Sequence, residues 1–378
     1  MNRRQWLWLL GACVSVGALP CWRRFFSSRS GINPMGFLRT TDPTDGYAHA
    51  GTDQRFEFPK DHGPHNHFQH EWWYFTGNLR DQVGRPFGFQ LTFFRFALSP
   101  EKINSSSAWA TQDAMLGHFA VSDIEGGHFH AYQRTGRPVL GIAGMSADPA
   151  RVWIRDWQAR FQPQRTAGWQ LEACHHNTQL HLDAVSHKAI VLQGQNGFSR
   201  KGPGNDNASY YYSMPRLQVA GNLVLEGKPF PVSGQAWMDH EWGTTTLSAD
   251  TVGWDWFGLQ LSDGCELTIY LLRREDGSYT PFSAGTWTNS EGISIPLCAT
   301  DFMLSVTGHW RSSSTHVRYP AGWTLTVTSL GVSLSILPRL AGQEWHSPIR
   351  YWEGAVAITG TRAGNQLDGI GYVELTGY

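Results

Sequence analysis

Three short stretches of this 378-residue chain concentrate the side chains that can move protons or hold ions. The first, DHGPHNHFQHEWW, carries Asp61, His62, His65, His67, His70 and Glu71. Imidazoles beside carboxylates are the donors of a zinc site, and the same groups also build a polar, hydrogen-bonded cluster. His65 and His67 are two apart and His67 and His70 three apart on a segment containing Gly63 and Pro64, so no helix turns several toward one ion. No metal is therefore expected, with His62, His65, His67 and His70 as weak candidates. The second stretch, Asp239-His240-Glu241-Trp242 in SGQAWMDHEWG, has two carboxylates flanking an imidazole. On an extended strand Asp239 and Glu241 face one side and His240 and Trp242 the other. It reads as a charged interdomain turn or as catalytic groups. In the third, alternation sends Trp254 and Trp256 to one face and Asp255 to the other. A carboxyl in apolar surroundings gains proton affinity and serves as a general acid near neutrality. An ion pair with Arg273 is the other reading of Asp255.

Other chemistries leave no trace. Gly197-Phe198-Ser199-Arg200-Lys201 comes nearest to a nucleophile elbow and fails at its last position. There is no phosphate loop, dinucleotide glycine fingerprint or His-Glu-x-x-His, so no organic cofactor is expected. Lys plus Arg at 30 against Asp plus Glu at 31, with no long like-charge run, disfavours nucleic acid as a partner.

The elements around these groups read as strands. Aromatic or β-branched runs such as Trp72 to Leu79, Phe87 to Phe96, Tyr210 to Met214, Val252 to Leu261 and Glu353 to Ile358 are bounded by turn signals. Ser262-Asp263-Gly264 and Glu275-Asp276-Gly277 are expected hairpin turns. Asp148 to Gln158 is the main segment of helical length. Trp72, Phe75, Leu79 and Asp81 recur, 182 positions later, as Trp254, Phe257, Leu261 and Asp263. After a turn six residues shorter in the second copy, Leu91 and Thr92 match Leu267 and Thr268. Repetition at so long a period indicates two copies of one domain. The expected fold is all-β, two tandem antiparallel barrels related by duplication, over residues 53–247 and 248–378. With 18 Trp, 12 Tyr and 20 Phe, the chain must keep much aromatic surface dry, in thick cores or around an apolar cavity at a barrel mouth or lumen.

Residues 1–22 form a basic start and an apolar stretch too short to span a membrane, and read as an export or lipoprotein signal. Arg3 and Arg4 resemble a twin-arginine signal, and Leu10-Gly11-Ala12-Cys13 a lipoprotein cleavage box; an uncleaved membrane tether is the remaining reading. Residues 23–52 read as a linker. The protein is expected at the periplasm or cell envelope. Beyond the signal, Cys174, Cys265 and Cys298 lack metal-ligand spacing, and a pairing of Cys174 with either of the others stays open.

From about Asp53 to Tyr378, EWWYFTGNL, FGFQLTFFRF, NASYYYS, SGQAWMDHEWG, VGWDWFGLQL, RYPAGW and YWEGAV resemble the secreted AttH-like proteins, relatives of carotenoid 1,2-hydratases. The resemblance implies two lipocalin-like barrels and a hydrophobic ligand, isoprenoid or lipid. It implies either hydration of a double bond or a carrier role beside a membrane transporter, with a secreted hydrolase as the distant alternative. The family pattern commonly has arginine where this chain has His240. Hydration needs a proton donor in a dry tunnel, aromatic faces for a carbocation and a polar group to aim water. Asp255 is the expected acid, and Asp239, His240 or Glu241 the water-orienting groups. Trp242, Trp254 and Trp256 are the expected aromatic walls, with Trp72, Trp73, Tyr74, Glu71, Gln90 and Tyr211 lining the ligand site.

Overall fold

The computed structural model describes residues 46–101, 104–163, 168–204, 206–244, 247–347 and 350–378. The expected signal over 1–22 and most of the linker over 23–52 lie outside them.

Two antiparallel sheets hold nearly all of the strands among the described residues. The first contains β1 (His70–Asp81), β2 (Pro86–Ala97), β3 (Asp113–Asp123), β4 (His128–Gly136), β5 (Ala143–Ala147), β6 (Ala150–Ile154), β7 (Trp157–Gln162), β8 (Gly168–His175), β9 (Thr178–Ser186), β10 (Val191–Leu192), β11 (Phe198–Arg200), β12 (Ala208–Leu225) and β13 (Lys228–Gly243). Its order is β4-β3-β2-β1-β13-β12-β9-β8-β7-β6-β5, with β10 and β11 also on β12, and it curls into a nearly closed barrel. The second contains β14 (Thr251–Leu261), β15 (Glu266–Arg274), β16 (Ala284–Thr288), β17 (Ser294–Cys298) and β18 (Met303–Val306). After the separate ribbon β19 (His309–Arg311) and β20 (Arg318–Pro320), it resumes with β21 (Trp323–Val327), β22 (Val332–Pro338), β23 (Glu344–Trp345), β24 (Tyr351–Arg362) and β25 (Asn365–Thr376). Its order, β17-β16-β15-β14-β25-β24-β22-β21-β18, forms a half-barrel, with β23 on β24. Two lipocalin-like barrels are thus present.

The duplicated strands hold equivalent places: β1 lies between β2 and β13, and β14 between β15 and β25, each sheet's first strand beside its second and its last. The hairpin turns do not differ in length. Gly84 N–H donates to Asp81 O and Gly264 N–H to Leu261 O, both at 3.1 Å. Both glycines sit at left-handed φ, 92° and 83°, where a Cβ is strained. The six residues missing from the second copy come from the strand arms, two before the turn and four after it, since Phe75 opposes Leu91 whereas Leu259 opposes Leu267. Even deletions keep every side chain on its face.

Asp148 to Gln158 is not helical; it contains β6 and the start of β7. Val152 and Ile154 are buried while Arg151 and Trp153 are partly exposed, a period of two that suits a strand. The Asp239 to Trp242 segment is not a turn either, but the end of the long strand β13 between β1 and β12. Cys174, Cys265 and Cys298 are all free.

Each barrel interior holds a buried apolar core. Trp73, Phe75, Phe87, Phe89, Leu91, Phe93, Trp169 and Trp242 belong to the first core, and Phe257, Leu259, Ile269, Trp323, Trp352 and Val373 to the second. Each such side chain contributes about 1.5–3 kcal/mol on burial. In β12 the register shifts between Met214 and Leu217, at Pro215, which has no N–H for the ladder. That bulge reverses parity, so Tyr212 before it and Leu217 after it both enter the core.

Candidate active site between the barrels

The opposite faces of the same strands meet each other. Asn78 Nδ2 donates to Gly371 O at 3.0 Å, and Gln260 Nε2 to Ala236 O at 2.9 Å. Gly88 allows the approach, because a Cβ there would meet the Tyr372 hydroxyl at 2.8 Å. The faces part around a cavity of about 110 Å³, walled by Trp72, Tyr74, Phe94, Trp254, Trp256 and Tyr270. That space is of the order of an engineered core cavity that takes a benzene. The aromatic surplus therefore divides between the apolar barrel cores and an inter-barrel cavity.

Strand alternation decides which candidates reach the cavity. On β13, Asp239 and Glu241 line it, while His240 and Trp242 turn into the first barrel. Trp72 and Tyr74 line it, whereas Trp73 stacks on His240, 4.7 Å between ring centroids, inside the barrel. Gln90 and Tyr211 line it too, and Glu71 does not. Trp73, Trp242, Glu71 and His240 are thus lumen groups. Asp255 also faces away from its flanking indoles and is held in an ion pair: Arg273 Nη1 donates at 2.5 Å and the Tyr378 hydroxyl at 2.9 Å. The ion-pair reading of Asp255 applies; burial still raises its pKa, but it does not line the cavity, which does not suit the acid role.

Asp239 is the carboxyl best placed for acid chemistry. It is buried and accepts from the Ser213 hydroxyl at 2.5 Å, the Tyr211 hydroxyl at 2.6 Å and Trp237 Nε1 at 2.7 Å. Burial outweighs these donors and raises its pKa to about 7. Trp256 Nε1 donates in turn to the Tyr211 oxygen at 3.1 Å. Glu241 accepts from Ser209 at 2.5 Å and pairs with Lys201 at 3.0 Å. Burial lowers the Lys201 pKa, but Glu241, Tyr270 and Asp239 together outweigh it and the net shift is upward.

Three charged groups of the cavity were not anticipated: Glu353, Glu374 and Lys201. Burial raises Glu374 to about 7, and burial with the nearby Glu374 charge pushes Glu353 well above the usual carboxylate range. Their signal was legible: each is a lone carboxylate in an otherwise apolar strand end, Tyr351-Trp352-Glu353 and Tyr372-Val373-Glu374-Leu375. Lys201, on the loop between β11 and β12, carried no such signal.

The histidine stretch gathers at the mouth of the first barrel without converging as a set. His62 Nδ1 meets the Tyr212 hydroxyl at 2.6 Å, and His65 reaches Glu71 and Asp61. His67 is exposed and His70 packs against Phe96.

These shifts set a pH dependence. Asp239 and Glu374 keep their protons to about pH 7 when folded but lose them near their ordinary 3.8 and 4.5 when unfolded, so stability falls as pH rises across that window. Burial lowers His62, His70 and His118 to about 3, which gives the opposite slope up to their ordinary 6.5. Above about pH 6.5 the histidine slope fades and the carboxyls dominate, joined by His65, whose burial is outweighed by Asp61 and Glu71 so that its pKa is raised. Melting temperature is expected to fall between about pH 6.5 and 8, and the fall should shrink in Asp239→Asn. An unchanged slope in that variant would refute the placement of its pKa.

The pattern of the AttH-like family matches residues 49–378. Over 218 residues the chain is 23% identical to the dehydratase asqC of Emericella nidulans, covering 54% of this chain and 60% of that protein. It thus spans less than two thirds of that curated relative. A crystal structure assigned as an AttH protein from Nitrosomonas europaea is 34% identical with a TM-score of 0.78, covering 88% of this chain and 99% of the other. Kievitone hydratase from Nectria haematococca shares the fold at 15% identity and a TM-score of 0.66, over 88% and 96% of the two chains. By a match that runs through both barrels and the cavity between them, the chain belongs to the AttH-like family.

Proposed function

We propose that this protein is a lyase of the hydratase–dehydratase type, acting on a hydrophobic, isoprenoid-like alkene or its alcohol in the inter-barrel cavity. The observation that carries the reading is Asp239, a carboxyl raised to about pH 7 inside an aromatic-walled cavity. The hydratase and dehydratase among its relatives support the same reaction class. In the hydration direction, the Asp239–Tyr211 pair delivers a proton to one alkene carbon and leaves a carbocation at the other. The faces of Trp72, Trp254 and Trp256 stabilise that cation. Water adds to it and loses a proton to Glu374, whose own pKa near 7 lets it act as base at neutrality. Dehydration runs the same steps in reverse. Lys201 with Glu241 orients the polar end of the substrate. Action at the cell envelope rests on residues 1–22 alone.

The test is incubation of the purified protein with terminal isoprenoid alkenes in heavy-oxygen water, read by mass spectrometry. Enzyme-dependent label in a product alcohol is expected. Absence of label with every alkene and alcohol tried, alongside a stoichiometric lipid extracted from the native protein, would make it a carrier instead.

A further inference from the structure

We propose that the mouth of the first barrel is a divalent transition-metal site, built by His65, Glu71 and His240 and suited to zinc. The site lies on the opposite face of β13 from Asp239, so it is separate from the cavity and does not depend on its chemistry. Three segments converge there: the loop after Gly63, β1 and β13. His65 Nδ1 is 2.8 Å from Glu71 Oε1, and His240 Nε2 is 2.9 Å from the same oxygen. All three donor atoms lie within 4.8 Å of one another. Two imidazoles and a carboxylate form a known zinc donor set that leaves a coordination position open. An ion at about 2.0–2.1 Å from each atom would hold each imidazole nitrogen about 3.3 Å from the carboxylate oxygen, an expansion of roughly half an ångström in both pairs. It would stand where two ring protons now point at Glu71.

The surroundings are those of built ligands. Metal-bound imidazoles usually engage an oxygen through the second ring nitrogen, which fixes ring orientation. Here His65 Nε2 faces Asp61 Oδ1 at 3.4 Å, and His240 Nδ1 faces the Tyr212 hydroxyl at 3.1 Å. Glu71 Oε2 takes Arg95 Nε at 3.2 Å, while Oε1 faces both imidazoles. The His65 ring lies flat on Trp242, 3.6 Å between centroids and 3° between planes, so its direction is set before any ion arrives.

Charge supplies an independent argument. Glu71 and Asp113 both pair with one guanidinium, Arg95, while Asp61 faces the His65 imidazole. Three carboxylates stand against one permanent cation and the His65 imidazole, and a divalent ion in place of the ring protons would compensate the remaining negative charge, since uncompensated buried charge is costly. The ion would also clip the loop over the barrel mouth to two central strands.

The full-length, tag-free protein is stripped with a chelator and titrated with Co2+, whose visible d–d absorption reports coordination, and with Zn2+. One ion per chain is expected, with loss of the band in His65→Ala and Glu71→Gln and retention in His130→Ala. Saturating zinc should raise the melting temperature of the unmodified protein by about 5 °C. X-ray absorption of the unmodified zinc protein should count two imidazoles, a measurement that decides the matter even if the variants misfold. The proposal is overturned by a protein that binds no Co2+, by a first shell without two imidazoles, or by undiminished binding in folded His65→Ala.

Discussion

Asp239→Asn is expected to lower turnover by about 10²- to 10⁴-fold while leaving ligand binding nearly intact, the usual loss when a positioned general acid is removed. The amide keeps the shape of the carboxyl but has no proton to give at neutral pH. Asn retains one oxygen for the three donors of Ser213, Tyr211 and Trp237, so a local rearrangement is expected and a small rise in KM is tolerable. The diagnostic result is a fall carried by kcat, with hydrophobic ligand still bound in stoichiometric amount. Asp255→Asn is the contrasting variant. It breaks the pair with Arg273 inside the second barrel and should cost stability while sparing turnover in the protein that remains folded. If Asp239→Asn turned over normally and Asp255→Asn did not, the assignment would have to revert to the carboxyl between the two indoles.

The largest stability effect is expected at Arg95. The guanidinium is fully buried and donates to Glu71 at 3.2 Å, to Asp113 at 3.0 Å and to the carbonyls of His65 and Phe68 at 3.1 and 2.7 Å. Arg95→Ala removes the permanent cation from two carboxylates, leaving Glu71 only its imidazole and backbone N–H partners, and takes a donor from two carbonyls at once. Removing one partner from a buried pair costs about 3–5 kcal/mol, mostly the desolvation of the charge left behind. Arg85, about a quarter exposed beside Asp123, should cost far less when truncated, nearer the 1 kcal/mol upper end for surface pairs. Chemical denaturation of both variants checks the contrast, and equal losses would show that burial is not what makes the Arg95 network important.

Much of the architecture could be read from residues alone, and the reason is periodicity. The duplicated Trp-x-x-Phe strands, the alternation along Trp254-Asp255-Trp256 and Asp239-His240-Glu241, and the Asp-Gly turns are all local patterns with a fixed backbone meaning. The strands that escaped notice have weaker local signals. β4, with His128, His130, Gln133 and Arg134, is polar along much of its length. β8 and β9 mix apolar residues with Glu172, Thr178 and His181. β13 was obscured by its charged end, which looks like a surface turn until β1 and β12 are laid on either side.

Alternation also separated Asp239 from His240 and Asp255 from its indoles, but it assigns a side chain to one of two faces without saying what each face meets. That depends on distant segments. The first barrel builds its core from residues of β1, β2, β7, β8, β12 and β13, with Trp73 and Trp242 among them. The void forms on the other face, where β1, β2, β12 and β13 meet β14, β15, β24 and β25, and so it collects Asp239, Glu241, Glu353 and Glu374 from strands up to 135 positions apart. Sequence by itself determined the fold class, the duplication and the two-sidedness of each strand, because these follow from the pleat. Only the packing of one barrel against the other decided which side is dry core and which is cavity, because desolvation of a carboxyl depends on everything that surrounds it and not on its neighbours in the chain.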